Sequence, residues 1–411
     1  MRMRQAIIAL LAIMTRQAAP AQEIVLRHSL TGVALDALAT QVQRFNDEQK
    51  GKQKVVLQEL SGVADRRQLP DLALMDDDDA RLFFDSIPRF KPIFEVMKEG
   101  DQPFDAAIFL PQIADAVDDL RGRPQALPMA LALPVLFYNK DAFIKAGLNP
   151  AVAPRTWQEV QNAAGALADA GYACPLTTSR FAWVHMENLA SQHGEPVMVK
   201  SGRGDHYAFN NLVQVKHLAR LASWQKSRYF HYFGPAREGD AKFLAGDCAM
   251  LTGESGLHAE LGSAKFSVGV AELPYYEDIR GAQPANVLPD GAALWALPGK
   301  KKGDYQVAAR FFSFLLRPQV QRDWVRATGF LPMTTGALDE LKAAGVSPAV
   351  IDAARKRLSM PKKADARMHS GFARNRVRAI LSEEIEMVWK SDRPAKEALD
   401  KAMTRANATP Q

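Results

Sequence analysis

The chain has 411 residues, 47% of them apolar, with 52 Lys and Arg against 46 Asp and Glu for a formal net charge of +6. That length holds two cores, and the mild, dispersed positive charge suits small anions better than nucleic acid; the densest basic runs, Lys300-Lys301-Lys302 and Arg355-Lys356-Arg357, read as solvated faces. Cys174 and Cys248 cannot build a disulfide framework or a four-cysteine zinc site, and beyond the amino terminus no apolar stretch has the length of a membrane-spanning helix.

In chain order, Met1 to Ala21 reads as a secretory leader. It has a basic start at Arg2 and Arg4, an apolar run from Ala6 to Met14, and a small-residue site at Ala19-Pro20-Ala21. The mature chain is expected to begin at Gln22, in the periplasm, and losing Arg2, Arg4 and Arg16 halves the formal charge. Ile24 to His28 predicts a buried strand, and Leu35, Leu38, Val42 and Phe45 recur at helical spacing up to Asn46-Asp47. Lys54 to Glu59 and Leu72 to Met75 predict two more strands. Strands alternating with helices imply an α/β fold with a parallel sheet, whose ligands lie beyond the carboxyl ends of the strands, at His28 to Gly32 and Asp76 to Asp79.

In the stretch Leu127 to Asp141 an apolar run, LALPVLFYNKD from Leu131 to Asp141, is broken by Pro134 and followed by a turn at Gly147 to Pro150. Thr156 and Glu159 have the spacing of a capping box, a strong helix start. A second lobe rich in Trp and Tyr follows, in which a strand, Ala249 to Thr252, runs into Gly253-Glu254-Ser255-Gly256. Asp290-Gly291 separates two apolar runs, and helices are predicted near Tyr305 to Leu316 and Pro318 to Thr328. In an oxidising compartment Cys174 and Cys248 pair if they are close, and are otherwise two buried thiols.

The series FYNKDAFIKAGLNP (Phe137 to Pro150), PRTWQEV (Pro154 to Val160), FLAGDCAML (Phe243 to Leu251), TGFLP (Thr328 to Pro332) and SEEIEMVW (Ser382 to Trp389) resembles the extracytoplasmic solute-binding subunits of ABC importers, family 1, the maltose-binding-protein-like proteins. Within that family the similarity is greatest to members that bind glycerol 3-phosphate. The resemblance implies a two-lobe periplasmic binding protein fold of class II with three interlobe crossovers, near residues 131, 289 and 332. It implies an N-terminal lobe of residues 22–131 plus 289–332 and a C-terminal lobe of 132–288 plus 333–411. A small organic phosphate or polyol is clamped in the cleft, and a monomer with no cofactor and no metal delivers it to permease subunits in the membrane. Such proteins are not enzymes.

Carried over residue by residue, the resemblance places the phosphate-holding arginine at Arg378, a serine donor at Ser255 and a backbone N–H at Gly291. It places an acidic contact to the glycerol hydroxyls at Asp77 and an aromatic wall at Trp183. Departures concern the other end of the site: the family's serine in the first crossover is Ala132, its TGY tyrosine is Phe330, and one tryptophan position carries Arg180. The segment Leu60 to Leu69 is too short for a family helix that bears a tyrosine.

The residue types fit this chemistry. A buried phosphate needs charge-assisted hydrogen bonds, and arginine offers a planar fork matched to its oxygens. Each candidate also has a plainer reading: Ser255 as a helix cap, Arg180 as a surface residue, and Asp76 to Asp79 as a strand end favoured at a helix start, with one carboxylate facing the cleft. At about 100° per residue, Arg374 and Arg378 share one edge of their helix while Arg376 points away. No nucleophile elbow, zinc-protease motif or Walker loop is present, so a phosphoesterase has only scattered residues to stand on. The competing ligands are an oligosaccharide or another anionic polyol.

Overall fold

The computed structural model describes residues 21–60, 69–76, 79, 89–119, 121–201, 204–279, 284–345, 348–358, 360–361 and 372–408. The leader up to Pro20, Asp77, and most of the segment between Leu60 and Leu69 lie outside them, as does the side chain of Arg374.

The strands are β1 (Gln22–His28), β2 (Gln53–Glu59), β3 (Leu72–Met75), β4 (Leu127–Ala132), β5 (Pro134–Asn139), β6 (Cys174–Thr178), β7 (Met198–Ser201), β8 (Gly204–Tyr207), β9 (Phe230–His231), β10 (Cys248–Glu254), β11 (Val268–Glu272) and β12 (Asp290–Ala296). Among the described residues they form two five-stranded sheets, ordered β2-β1-β3-β12-β4 and β11-β5-β10-β6-β9, with β7 and β8 as a separate hairpin. In β1, Ile24, Leu26 and His28 alternate inward, and the helix Gly32–Glu48 lays Leu38, Val42 and Phe45 onto this sheet. Phe45 meets Phe311 and Phe314 of the helix Lys302–Leu315 edge-on, with ring centroids 5.1 and 5.7 Å away. The second sheet is covered by Trp157, Trp224, Leu381 and Leu399. Its helix Trp157–Asp169 starts on the predicted capping box: Thr156 Oγ1 accepts from the Glu159 N–H, and the Glu159 carboxylate accepts from the Thr156 N–H, both at 3.2 Å.

The expectation of a parallel sheet needs correcting. β1 runs parallel to β2 and β3, but β12 is antiparallel to both β3 and β4. The reason is topological. β4 leaves the first sheet, the chain passes through Leu133 into β5 of the second, and β12 must return across the same boundary in the opposite direction, so Asp290 stands opposite Ala132. The crossing segments are laced together: Ser255 N–H donates to Leu133 O at 2.8 Å, and Leu331 N–H donates to Leu131 O at 2.8 Å. A third apolar cluster lies across this junction and joins Leu133, Phe137, Leu257, Val325 and Leu331. Cys174 and Cys248 stand opposite each other in β6 and β10 and form a disulfide, with Cα atoms 4.5 Å apart.

Candidate functional site

The ends of β1 and β3 open into a cleft between the two sheets. One compartment, of about 590 Å³, is lined by Asp76, Asp79, Trp183, Arg378, Glu386 and neighbouring residues. A second, of about 300 Å³, is lined by Ser29, Thr31, Gly256, Gly291 and Phe330 among others. Asp76, Asp79, Arg180 and Arg237 belong to both walls, so the two compartments are continuous. The location beyond the carboxyl ends of β1 and β3 is the one expected for an α/β sheet.

Three arginines from different parts of the chain converge here. Arg378 comes from the helix Phe372–Trp389; its Nε donates to Glu187 Oε1 at 2.5 Å and its Nη1 to Asp290 Oδ2 at 2.6 Å. Arg180 follows β6; its Nη2 donates to the same Asp290 oxygen at 2.6 Å and its Nη1 to Glu254 Oε2 at 2.8 Å. Arg237 pairs with the other oxygen of Glu254. The result is an alternating chain, Glu187–Arg378–Asp290–Arg180–Glu254–Arg237. Its carboxylates are almost wholly buried, with 1%, 5% and 2% of the Glu187, Asp290 and Glu254 side chains exposed. Burial raises the pKa of Glu254, but Arg237 and Arg180 more than offset it and hold the group below its ordinary range. Burial likewise works against the charge on Arg180, while Asp290 and Glu254 outweigh it and raise its pKa.

Arg180 has a left-handed backbone, with φ +49. Such a conformation costs a non-glycine residue on the order of 1–3 kcal/mol and persists where surroundings over-determine it. Here two buried carboxylates and Trp183, whose ring lies 4.7 Å from the guanidinium carbon, hold it. Trp183 is itself fixed by an Nε1–H bond to Leu288 O at 3.0 Å. Gly291, with φ +139, lines the cleft where a Cβ would come within 2.4 Å of Ala130 O, so only glycine fits.

Arg378, Arg180, Trp183 and Gly291 are thus brought together. Ser255 is not brought to the wall: it turns inward between Glu254 and Gly256, and its Oγ accepts from the Leu133 N–H at 3.1 Å while its own N–H donates to Leu133 O. Asp77 lies outside the described residues. The expectation that one carboxylate of the acidic run faces the cleft is corrected, since Asp76 and Asp79 both line it; Asp79 N–H donates to Asp76 Oδ1 at 2.8 Å, a local turn that puts them on one side. Arg376 is exposed, as its place on the helix predicts.

Sequence reasoning missed Arg237, Glu187, Glu254 and Asp290. Arg237 did leave a signal, because it sits immediately before the helix Glu238–Leu244, where positive charge opposes the helix dipole. Beneath it lies Asp240, bonded to Ser179 Oγ at 2.5 Å; burial pushes its carboxyl up to about 7, against the pull of that hydrogen bond.

The profile of the bacterial extracellular solute-binding proteins matches residues 47–353. The chain belongs to that family. The sn-glycerol-3-phosphate-binding periplasmic protein UgpB of Yersinia enterocolitica is 36% identical over 326 residues, 77% of this chain and 74% of the relative. Its counterpart in Salmonella typhimurium is 37% identical over the same shares. Two solved structures have the same fold. UgpB from Mycobacterium tuberculosis in complex with glycerophosphocholine matches at TM-score 0.73 and 18% identity, covering 94% of this chain and 98% of that one. Maltose-bound MalE3 of T. maritima matches at TM-score 0.72 and 17% identity, over 94% and 99%. As a solute-binding family member, the protein has the two-sheet architecture of periplasmic binding proteins and the task of a transport component.

Proposed function

We propose that this protein is the periplasmic binding component of an ABC importer that captures glycerol 3-phosphate or a related glycerophosphodiester and delivers it to membrane permease subunits. The lobes are residues 22–131 plus 289–332 and 132–288 plus 333–411, and the leader is removed on export. The observation that carries the reading is the convergence of Arg180, Arg237 and Arg378 on one cleft, in a chain 34–37% identical to glycerol-3-phosphate-binding proteins. Guanidinium forks are the side chains best matched to phosphoryl oxygens, and withdrawal from water strengthens such contacts. Arg378 and Arg180 hold the phosphate, Trp183 packs against the carbon skeleton, and Gly291 contributes its backbone N–H. Asp77, where the resemblance places the acidic contact, accepts from the glycerol hydroxyls together with Asp79, which lines the cleft.

An oligosaccharide is the second reading, favoured by the acidic wall of Asp76, Asp79, Glu383 and Glu386, since carboxylates accept hydrogen bonds from sugar hydroxyls. A thermal-shift panel of glycerol 3-phosphate, glycerophosphocholine, maltose and inorganic phosphate tests the proposal, because a ligand specific to the folded state stabilises it by RT ln(1 + [L]/Kd). The glycerol phosphates should raise the melting temperature. A rise with maltose alone would replace the first reading by the second.

A further inference from the structure

Among the described residues, the three arginines of the cleft are matched by three buried carboxylates. Asp290 is the central one: a single oxygen, Oδ2, takes one N–H from Arg180 and one from Arg378, each at 2.6 Å. Those two guanidiniums therefore already share an anionic oxygen, in the arrangement in which a phosphoryl oxygen would be held. Glu254 bridges Arg180 and Arg237 with one oxygen to each, and Glu187 closes the row behind Arg378. Among the described residues the row is neutral as a whole. Around it, the remaining ionisable residues of the described lining, Asp76, Asp79, Glu260, Glu383 and Glu386, are all acidic.

We infer that Asp290 is a specificity-determining residue, a built-in counter-ion shared by Arg180 and Arg378 that limits the negative charge of the ligand these arginines accept. The inference rests on reading the cleft as a phosphate-ester site and narrows the ligand class within it. A phosphomonoester is mostly a dianion above pH 7, whereas a phosphodiester carries one charge. Either one reaches the same forks with the buried Asp290 carboxylate 2.6 Å behind them, so both feel its charge through the arginines they contact. The dianion feels that repulsion twice as strongly on a logarithmic scale, while the row, neutral among the described residues, carries no surplus positive charge to offset it. The position of Asp290 at the first residue of β12, on the returning crossover, fixes the carboxylate there, because its backbone is held opposite Ala132 of β4.

The test is calorimetric titration at pH 7.5 of the wild-type protein and Asp290→Asn with two ligands, glycerol 3-phosphate and its methyl diester, which differ by one methyl group and one charge. Wild type should bind the diester more tightly. In Asp290→Asn the monoester should gain on the order of tenfold more than the diester, the lower end of what close charge pairs carry, so that the preference shrinks or reverses. Equal or tighter binding of the monoester by wild type overturns the inference while leaving the phosphate-ester reading intact, as does a preference unchanged in a folded Asp290→Asn. Should that variant not fold, Glu254→Gln removes the next carboxylate of the row and must narrow the preference in the same direction; an unchanged preference there also overturns it. Wild-type protein that binds neither ester removes the underlying reading and the inference with it.

Discussion

Arg378→Ala separates phosphate recognition from cleft packing, provided that its structural cost is accounted for. The side chain is 11% exposed and bonds Glu187 and Asp290 at 2.5 and 2.6 Å. Truncation leaves Glu187 buried without this partner, which by analogy with broken buried pairs costs about 3–5 kcal/mol of stability. The ligand loses a charge-assisted fork, on the order of 2–5 kcal/mol, or roughly a thirtyfold to several-thousandfold weakening of binding. A paired variant distinguishes the two effects. Arg378→Met with Glu187→Gln keeps the volume and removes both charges, so denaturant unfolding should return most of the stability while titration with a glycerophosphodiester still shows the affinity loss. Arg376→Ala, on the exposed side of the same helix, should leave both unchanged. If affinity recovers together with stability in the paired variant, Arg378 holds the lobe together and does not bind ligand.

Two further outcomes follow from buried groups. Burial raises the Asp240 carboxyl from 3.8 to about 7, so the folded chain keeps a proton that the unfolded chain releases; stability then falls as pH rises between those values, by on the order of 4 kcal/mol in full. The melting temperature should drop less between pH 5 and pH 8 in Asp240→Asn than in wild type, and equal drops would contradict the assignment. The disulfide joins residues 74 apart in sequence, for which the chain-entropy model gives about 4 kcal/mol; reduction should lower the denaturant midpoint accordingly, and an unmoved midpoint would show that the bridge is unformed in solution.

Much of the frame was legible because it is local. The inward alternation of Ile24, Leu26 and His28, the spacing of Leu38, Val42 and Phe45, and the Thr156–Glu159 box each need only a few neighbouring residues to be read. The direction of β12 was not legible, since it depends on which boundary the chain recrosses. The site divides in the same way. Arg378, Arg180, Trp183 and Gly291 could be named from motif positions, but the carboxylates that neutralise the arginines stand 191, 110 and 74 residues from their partners. No spacing rule reaches that far. Asp290-Gly291 read as an interruption between apolar runs, whereas in the fold it places a shared carboxylate beside a glycine that no other residue can replace without meeting Ala130 O. Ser255 shows the reverse: a plausible donor by position, it is spent on tying β10 to Leu133.

The central claim is that the arginine-lined cleft captures a glycerol phosphate ester and releases it unchanged. Calorimetric titration of ligand-free protein with glycerophosphocholine and with glycerol 3-phosphate, followed by phosphorus NMR of the recovered ligand, tests it most directly. The account predicts saturable one-to-one binding of at least one ester, recovered intact. No heat with either ester beside saturable binding of maltose, or recovery of hydrolysed ester, would contradict it.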